Sequence, residues 1–208
     1  MDAGIYFRGL VIGLAIAEPV GPIGVLCIRR TLAEGRLAGL VTGLGAATAD
    51  TVYGAVAAFG LTAVSVFLVS QQDMLRLIGG AFLLYLGVRT FLARPVAQDA
   101  VTGDRSSRTL AGDYASTFLL TITNPLTILS FAAVFAGLGL GSGYDDLASA
   151  LLLVAGVFTG SALWWFLLSG GVSLLRGRIT PNGLRWVNRV SGVIITLFGI
   201  VALAGLLQ

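Results

Sequence analysis

Glu18-Pro19-Val20-Gly21-Pro22-Ile23-Gly24 sets a carboxylic acid, two prolines and two glycines inside an apolar run that opens near Ile5 and continues to about Ile28. A proline inside a helix removes a backbone donor and clashes with the preceding turn. A helix over this run must therefore break around Pro19, Gly21 and Pro22. In hydrocarbon the freed carbonyls have no water to meet, so such backbone must be buried in protein or line a wet cavity. A carboxylate at that depth costs about 2.5–3.5 kcal/mol on insertion scales. Glu18 either faces a pathway or snorkels out from a tolerated kink.

The rest of the chain says that the surroundings are a membrane. Of 208 residues, 56% are hydrophobic and 11% charged, against about 25% charged in soluble domains. Six apolar segments can be marked: about 5–28, 37–69, 75–93, 114–140, 147–175 and 184–207. Their length and sparse charge fit helices rather than barrel strands. The expected fold is an all-α integral membrane protein of six transmembrane helices, in a single membrane domain over residues 1–208. Ala15-Ile16-Ala17 imitates a signal-peptide cleavage site, but Asp2 and Arg8 make a poor basic leader and apolar sequence continues beyond, so this segment is expected to stay.

All thirteen basic residues are arginines, and there is no histidine. Arg29, Arg30 and Arg36 fall between segments one and two. Arg89, Arg94, Arg105 and Arg108 fall between three and four, and Arg176, Arg178, Arg185 and Arg189 between five and six. Only Arg8 and Arg76 lie on the other side, with Asp73, Asp145 and Asp146. The positive-inside rule puts loops one, three and five in the cytoplasm and both termini outside. Dispersed arginines of this kind anchor topology and do not form a face for nucleic acid. Cys27 is the only cysteine, which excludes an internal disulfide and a multi-Cys metal site. With no histidine, no metal or other cofactor is expected.

The two halves repeat. Glu18-Pro19 and Asn124-Pro125 are polar-Pro pairs midway along segments one and four. Gly80 and Gly87 match Gly192 and Gly199 at the same separation, and small residues recur in segments two and five, as Gly43 and Gly45 and as Gly156 and Gly160. Three helices per copy is an odd number, so the second copy must be inverted in the membrane. The expected halves are 1–93 and 114–208, joined by a cytoplasmic linker over 94–113, with helices one and four broken at their Pro motifs. Inverted repeats with matching broken helices point to a transporter whose site lies between the repeats. Chance similarity among Gly-rich helices is the plainer alternative.

Few residues inside these segments carry chemistry. Asp50 lies deep in segment two, on a stripe of small and polar residues (Thr42, Gly45, Ala46, Ala49, Tyr53, Ala57) that lets the helix pack closely. Such an acid can hold a proton and a cationic group alternately, or simply hydrogen-bond one helix to another. Asn124 and Thr123, beside Pro125, either contact a substrate or patch freed carbonyls; Thr121 has the same ambiguity. Helix starts after Pro22 and Pro125 would aim positive dipole ends inward, which suits a carboxylate. Acids for a cation and helix starts for an anion together suit a zwitterion. Trp164 and Trp165 lie within segment five, away from the interfacial belts where Trp collects. One of them, with Ser161 a turn away, is expected to wall or gate the pathway; Trp164 is the choice.

At these residues the chain resembles the LysE/RhtB superfamily of amino-acid exporters over nearly its whole length. The resemblance rests on Gly21-Pro22, Arg29-Arg30, Gly35-Arg36-x-x-Gly39, the Gly-rich second segment with Asp50 and Tyr53, and Thr123-Asn124-Pro125. It implies a multi-pass, bacterial-type inner-membrane transporter and not an enzyme. It implies export of amino acids, basic or small neutral, by antiport against protons, with the bilayer as partner. The many glycines permit helix association, within one chain or between two as a homo-oligomer. Many members have Pro-Gly-Pro followed by Asn, where this chain has Val20-Gly21-Pro22-Ile23, and a basic residue where it has Leu126. Glu18 is a further departure, and an added acid suits a more cationic substrate such as lysine, arginine or a diamine. Glu18, Asp50, Tyr53, Asn124, Thr123 and Trp164 are the candidate substrate or proton residues. Two other readings stay open: an exporter of another small cation or a metal ion, and a membrane scaffold that moves nothing. A thiol electron carrier of the DsbD type needs paired cysteines in helices one and four, and Cys27 has no such partner.

Overall fold

A computed structural model of the protein describes residues 3–18, 21–60, 67, 70–93, 107–124, 127–128, 130–131, 146–178 and 180–206. These residues form seven helices and no strand: α1 (Ala3–Ala17), α2 (Pro22–Glu34), α3 (Arg36–Ala58), α4 (Gln72–Leu92), α5 (Ser107–Ile122), α6 (Leu147–Arg176) and α7 (Pro181–Ala204). The first apolar segment gives two helices rather than one because of its break. α1 and α2 meet at 81°, and α2 begins at Pro22, where a missing N–H costs no intrahelical bond. α4, α6 and α7 are each long and apolar enough to cross a membrane, and α1 with α2 qualifies as a bent pair. α3 has 23 residues, about 34 Å at 1.5 Å per residue, but its glycines, threonines and Asp50 dilute its apolarity.

Several boundaries differ from the sequence reading. Segment two was expected to run to Val69; α3 ends at Ala58 in a turn through Phe59 and Gly60, and residues 61–66, 68 and 69 lie outside the described residues. The polar linker was expected to reach Asp113; α5 already starts at Ser107, and Asp113 is buried. The first arginine-bearing loop shrinks to Gly35, whose φ of +104° joins α2 directly to α3. An L side chain rarely adopts that angle, so this joint needs its glycine. Arg29 and Arg30 consequently belong to α2. Pro19 and Pro125 lie outside the described residues.

Small residues set how the helices pack. α1 runs parallel to α6: a Cβ on Gly9 would lie 2.3 Å from Leu153 O, and one on Gly160 would lie 2.0 Å from Leu10 O. α3 runs parallel to α5, where a Cβ on Gly45 would lie 2.5 Å from Tyr114 O. α3 and α6 cross antiparallel, as do α4 and α7. On the α4–α7 face, Gly80 meets Gly199 and Gly87 meets Gly192 backbone to backbone. Without a hydrophobic drive between helices in lipid, such close approach supplies the dispersion contact that holds them together. The buried cluster at the centre joins Ala17, Ile23, Leu26, Leu83, Leu86, Leu120, Trp165 and Ile195.

Candidate functional site

The break between α1 and α2 opens on a small internal cavity of about 60 Å³. Ile16, Ala17, Gly21, Pro22 and Ile23 line it from the first break, and Thr121, Asn124, Thr127 and Ser130 from the region around the second. α3 contributes Ala46 and Asp50, and α6 contributes Trp165. Two polar interruptions more than 100 residues apart in the chain thus border one space. Asp50 is 3% exposed. Its Oδ2 accepts a hydrogen bond from Ser161 Oγ at 2.7 Å, so the acid bridges α3 to α6 at the cavity wall.

The sequence candidates divide. Asp50, Asn124, Gly21 and Pro22 meet at the cavity. Tyr53 does not line it: its ring packs on Phe131 and its hydroxyl donates to the carbonyl of Ile122, the last residue of α5. That bond meets a carbonyl left at the helix end and docks α5 on α3. Thr123 donates to Leu119 O at 2.7 Å and borders Gly79 of α4, away from the cavity. Glu18 is exposed just past the end of α1, its N–H donating to Leu14 O. Trp164 is half-buried against the central cluster, while its neighbour Trp165 is the wall residue.

Thr127 and Ser130 went unnoticed in the sequence, and so did a second polar centre. Arg30, expected in a loop, is 6% exposed. Its Nε lies 3.3 Å from Asp113 Oδ1, and its guanidinium donates to Thr42 Oγ1, Asp113 O, Thr117 Oγ1 and Ser116 Oγ. A buried charge is tolerated only when paired and hydrogen-bonded in this way. The signal was available: Asp113, Thr117 and Thr121 recur every four residues and mark one polar face of α5. This centre borders a vestibule of about 1030 Å³ between α2, α4 and the start of α5, lined also by Arg29, Glu34 and Arg89. Leu26 and Leu86 of the central cluster face the vestibule, and Ala17, Ile23, Ala46 and Trp165 of the same cluster face the small cavity. Packed apolar side chains therefore separate the two spaces.

Among the described residues no three His, Cys, Asp or Glu side chains gather as they would around a metal ion. The buried polar groups at the cavity are one carboxylate, amide and hydroxyl groups and one indole. That set can hold an ammonium and hydrogen-bond a carboxylate.

Residues 14–205 match the family described as LysE type translocator. The chain belongs to this family. It is a membrane translocator and not an enzyme. The translocator is 29% identical over 198 residues to "Putative amino acid efflux protein YcgF" of Bacillus subtilis (strain 168), covering 94% of this chain and 93% of that one. It is 28% identical to "Uncharacterized membrane protein YahN" of Escherichia coli (strain K12), over 92% and 86% of the two chains. It is also 28% identical to "Chemotactic transduction protein ChpE" of Pseudomonas aeruginosa, over 96% and 97%. No solved structure matches the translocator.

Proposed function

We propose that this translocator exports amino acids from the cytoplasm in exchange for protons, through the cavity at Asp50. The observation that carries this is the meeting of both polar breaks with one buried carboxylate in a single small space. Asp50 holds a proton in one half of the cycle and the substrate ammonium in the other. Asn124 and Thr121 hydrogen-bond the substrate. The relative named for amino acid efflux aligns over nearly the whole chain, which supports the substrate class.

The architecture we propose is six spans in two inverted halves, 1–93 and 114–208, linked through 94–113. Packing supports it. A two-fold axis in the membrane that exchanges the halves would pair α1 with α6 as it pairs α5 with α3, and would bring α3 onto α6 and α4 onto α7. Those four contacts dominate the bundle. If Gly80 corresponds to Gly192 and Gly87 to Gly199, a contact of Gly80 with Gly199 requires one of Gly87 with Gly192, and both occur. This reciprocity is what a two-fold relation imposes. Asp50 follows Gly45 by five residues, as Ser161 follows Gly156, so the hydrogen-bonded pair occupies corresponding positions on the axis.

The arginine-bearing vestibule lies on the proposed cytoplasmic side and serves as the entrance, with the termini outside. The inner cavity has room for about two waters at ~30 Å³ each. The conformation is therefore closed around the site, and Leu26, Leu86 and their neighbours form the inner gate. Substrate entry requires α2 to swing at the 81° break while the α1–α6 pair holds. Asp50 is the only acid at the cavity among its described lining residues. A small neutral amino acid, with one ammonium to satisfy, fits better than lysine or arginine.

Proteoliposomes containing the purified protein test this. Labelled neutral and basic amino acids inside should leave faster when a proton gradient is imposed, with neutral ones preferred. Release of none of them above protein-free vesicles would refute the proposal, and release of metal ions alone would move the protein to the cation-exporter reading.

A further inference from the structure

Trp165 carries the one buried side-chain polar atom among the described residues that lacks a hydrogen-bond partner, its indole Nε1. The residue is 4% exposed. An indole N–H only donates, and proteins leave few buried donors unmet. The neighbouring helix is shaped around this side chain: a Cβ on Gly43 of α3 would lie 2.3 Å from Trp165 Cβ. Val157, Ser161, Trp165 and Ser169 recur every four residues and are all buried, so Trp165 shares a face with the hydroxyl that meets Asp50.

Trp165 borders two spaces. One is an outer groove between α3 and α6 walled by Leu40, Val41, Leu44, Phe158 and Leu163, where the hydroxyl of Thr159 is turned to its own helix and donates to Ala155 O. In a bilayer it faces acyl chains, which carry no acceptor. The other is the inner cavity, shared with Asp50, Thr121 and Asn124. A polar solute that brings an acceptor to the indole reaches it through the second. The described lining of that cavity contains a carboxylate but no basic side chain. It can satisfy an ammonium, yet no cation awaits the other end of a zwitterion.

We infer that Trp165 Nε1–H donates to the carboxylate of the transported amino acid while its ammonium rests at Asp50. This deepens the export reading of the cavity and rests on it. Trp165 thereby becomes a specificity-determining residue: it separates amino acids from amines of the same side chain. A site built to hydrogen-bond a group rejects the analogue lacking it, because the buried partner is left unmet.

Trp165→Phe keeps an aromatic ring but removes the N–H together with part of the indole's bulk, so the indole resonance of the wild-type protein is read beside it. Binding of labelled valine to the purified protein is measured in competition with unlabelled valine and with isobutylamine, its decarboxylated form. In the wild-type protein valine should compete about tenfold or more better than isobutylamine, and in W165F that ratio should fall toward one. In protein carrying 15N-indole, the resonance that W165F lacks should move on adding valine and stay in place with isobutylamine. A wild-type ratio retained in W165F, or an indole resonance that ignores valine, overturns the inference even if export is intact. A wild-type protein that neither binds nor exports any neutral amino acid instead brings down the export reading and this inference with it.

Discussion

Ser161 of α6 donates to Asp50 of α3 at 2.7 Å where the two helices cross antiparallel. Both residues are buried, and under the proposed two-fold relation they occupy equivalent positions. One side of this pair is ionisable and the other is a neutral hydroxyl. Among the described residues that line the cavity, Asp50 is the only acid. A hydroxyl donor keeps an adjacent carboxylate oriented without neutralising it. In the proposed cycle, gain or loss of a proton at Asp50 changes the contact between α3 and α6.

Asp50→Asn should abolish export driven by a proton gradient and leave the protein's membrane abundance unchanged. The amide keeps the size of the side chain and can still hydrogen-bond Ser161, but it cannot take up a proton. Parallel measurement of vesicle release and of protein recovered from the membrane checks both halves of the statement. Gradient-driven release at the wild-type rate would remove Asp50 from the coupling.

Glu18→Gln should behave differently, although Glu18 is the more conspicuous acid in the sequence. Glu18 is exposed beyond α1 and does not line the cavity. Substitutions at such positions usually change folding stability by no more than about 0.5 kcal/mol, so protein abundance should hold and the release rate should stay close to that of the wild type. Neutral and basic amino acids should be affected alike. A selective loss of lysine or arginine release would return Glu18 to the pathway.

The parts of this fold legible in the sequence were those with local causes. Pro22 and its glycine announced the break because a ring without an N–H cannot continue a helix. Asp50 stood out because an acid among small apolar residues has few uses. The equally spaced glycines of α4 and α7 stood out as a repeat, but their packing against each other is visible only in the fold. What was missed depended on partners far along the chain. Arg30 looks like any topology-setting arginine until Asp113, 83 residues away, is beside it. Trp164 and Trp165 are adjacent in sequence, and the choice between them depends on the rotation of α6. That rotation follows from the Gly156 and Gly160 contacts with α1 and the clearance at Gly43, which no single segment reveals.

The Arg30–Asp113 centre should be stabilising only as a pair. Arg30→Met leaves Asp113 buried without its cation and should cost about 3–5 kcal/mol. Adding Asp113→Leu should recover most of that loss, because two apolar side chains need no compensation. Thermal unfolding in detergent of the two single variants and the double variant gives the coupling. Single effects that simply add would show that the two charges do not depend on each other.

Two glycines of α6 should respond in opposite directions to the same methyl group. A Cβ on Gly160 would sit 2.0 Å from the carbonyl oxygen of Leu10, and backbone cannot yield as a flexible side chain does. Gly160→Ala should push α1 away from α6 and cost about 1–3 kcal/mol, the usual range for overpacking. Gly171, eleven residues on, has nothing within 4 Å of its would-be Cβ. Gly171→Ala should instead gain about 0.5–1 kcal/mol by restricting the backbone of the unfolded chain and favouring the helix. Because both changes add the same atom to the same helix, their difference isolates close packing from helix propensity. The α1–α6 pair is the part proposed to hold still while α2 swings, so Gly160→Ala should also slow amino-acid release from vesicles, and Gly171→Ala should not. Equal melting temperatures for the two variants would mean that α1 and α6 do not approach as closely as their glycines allow.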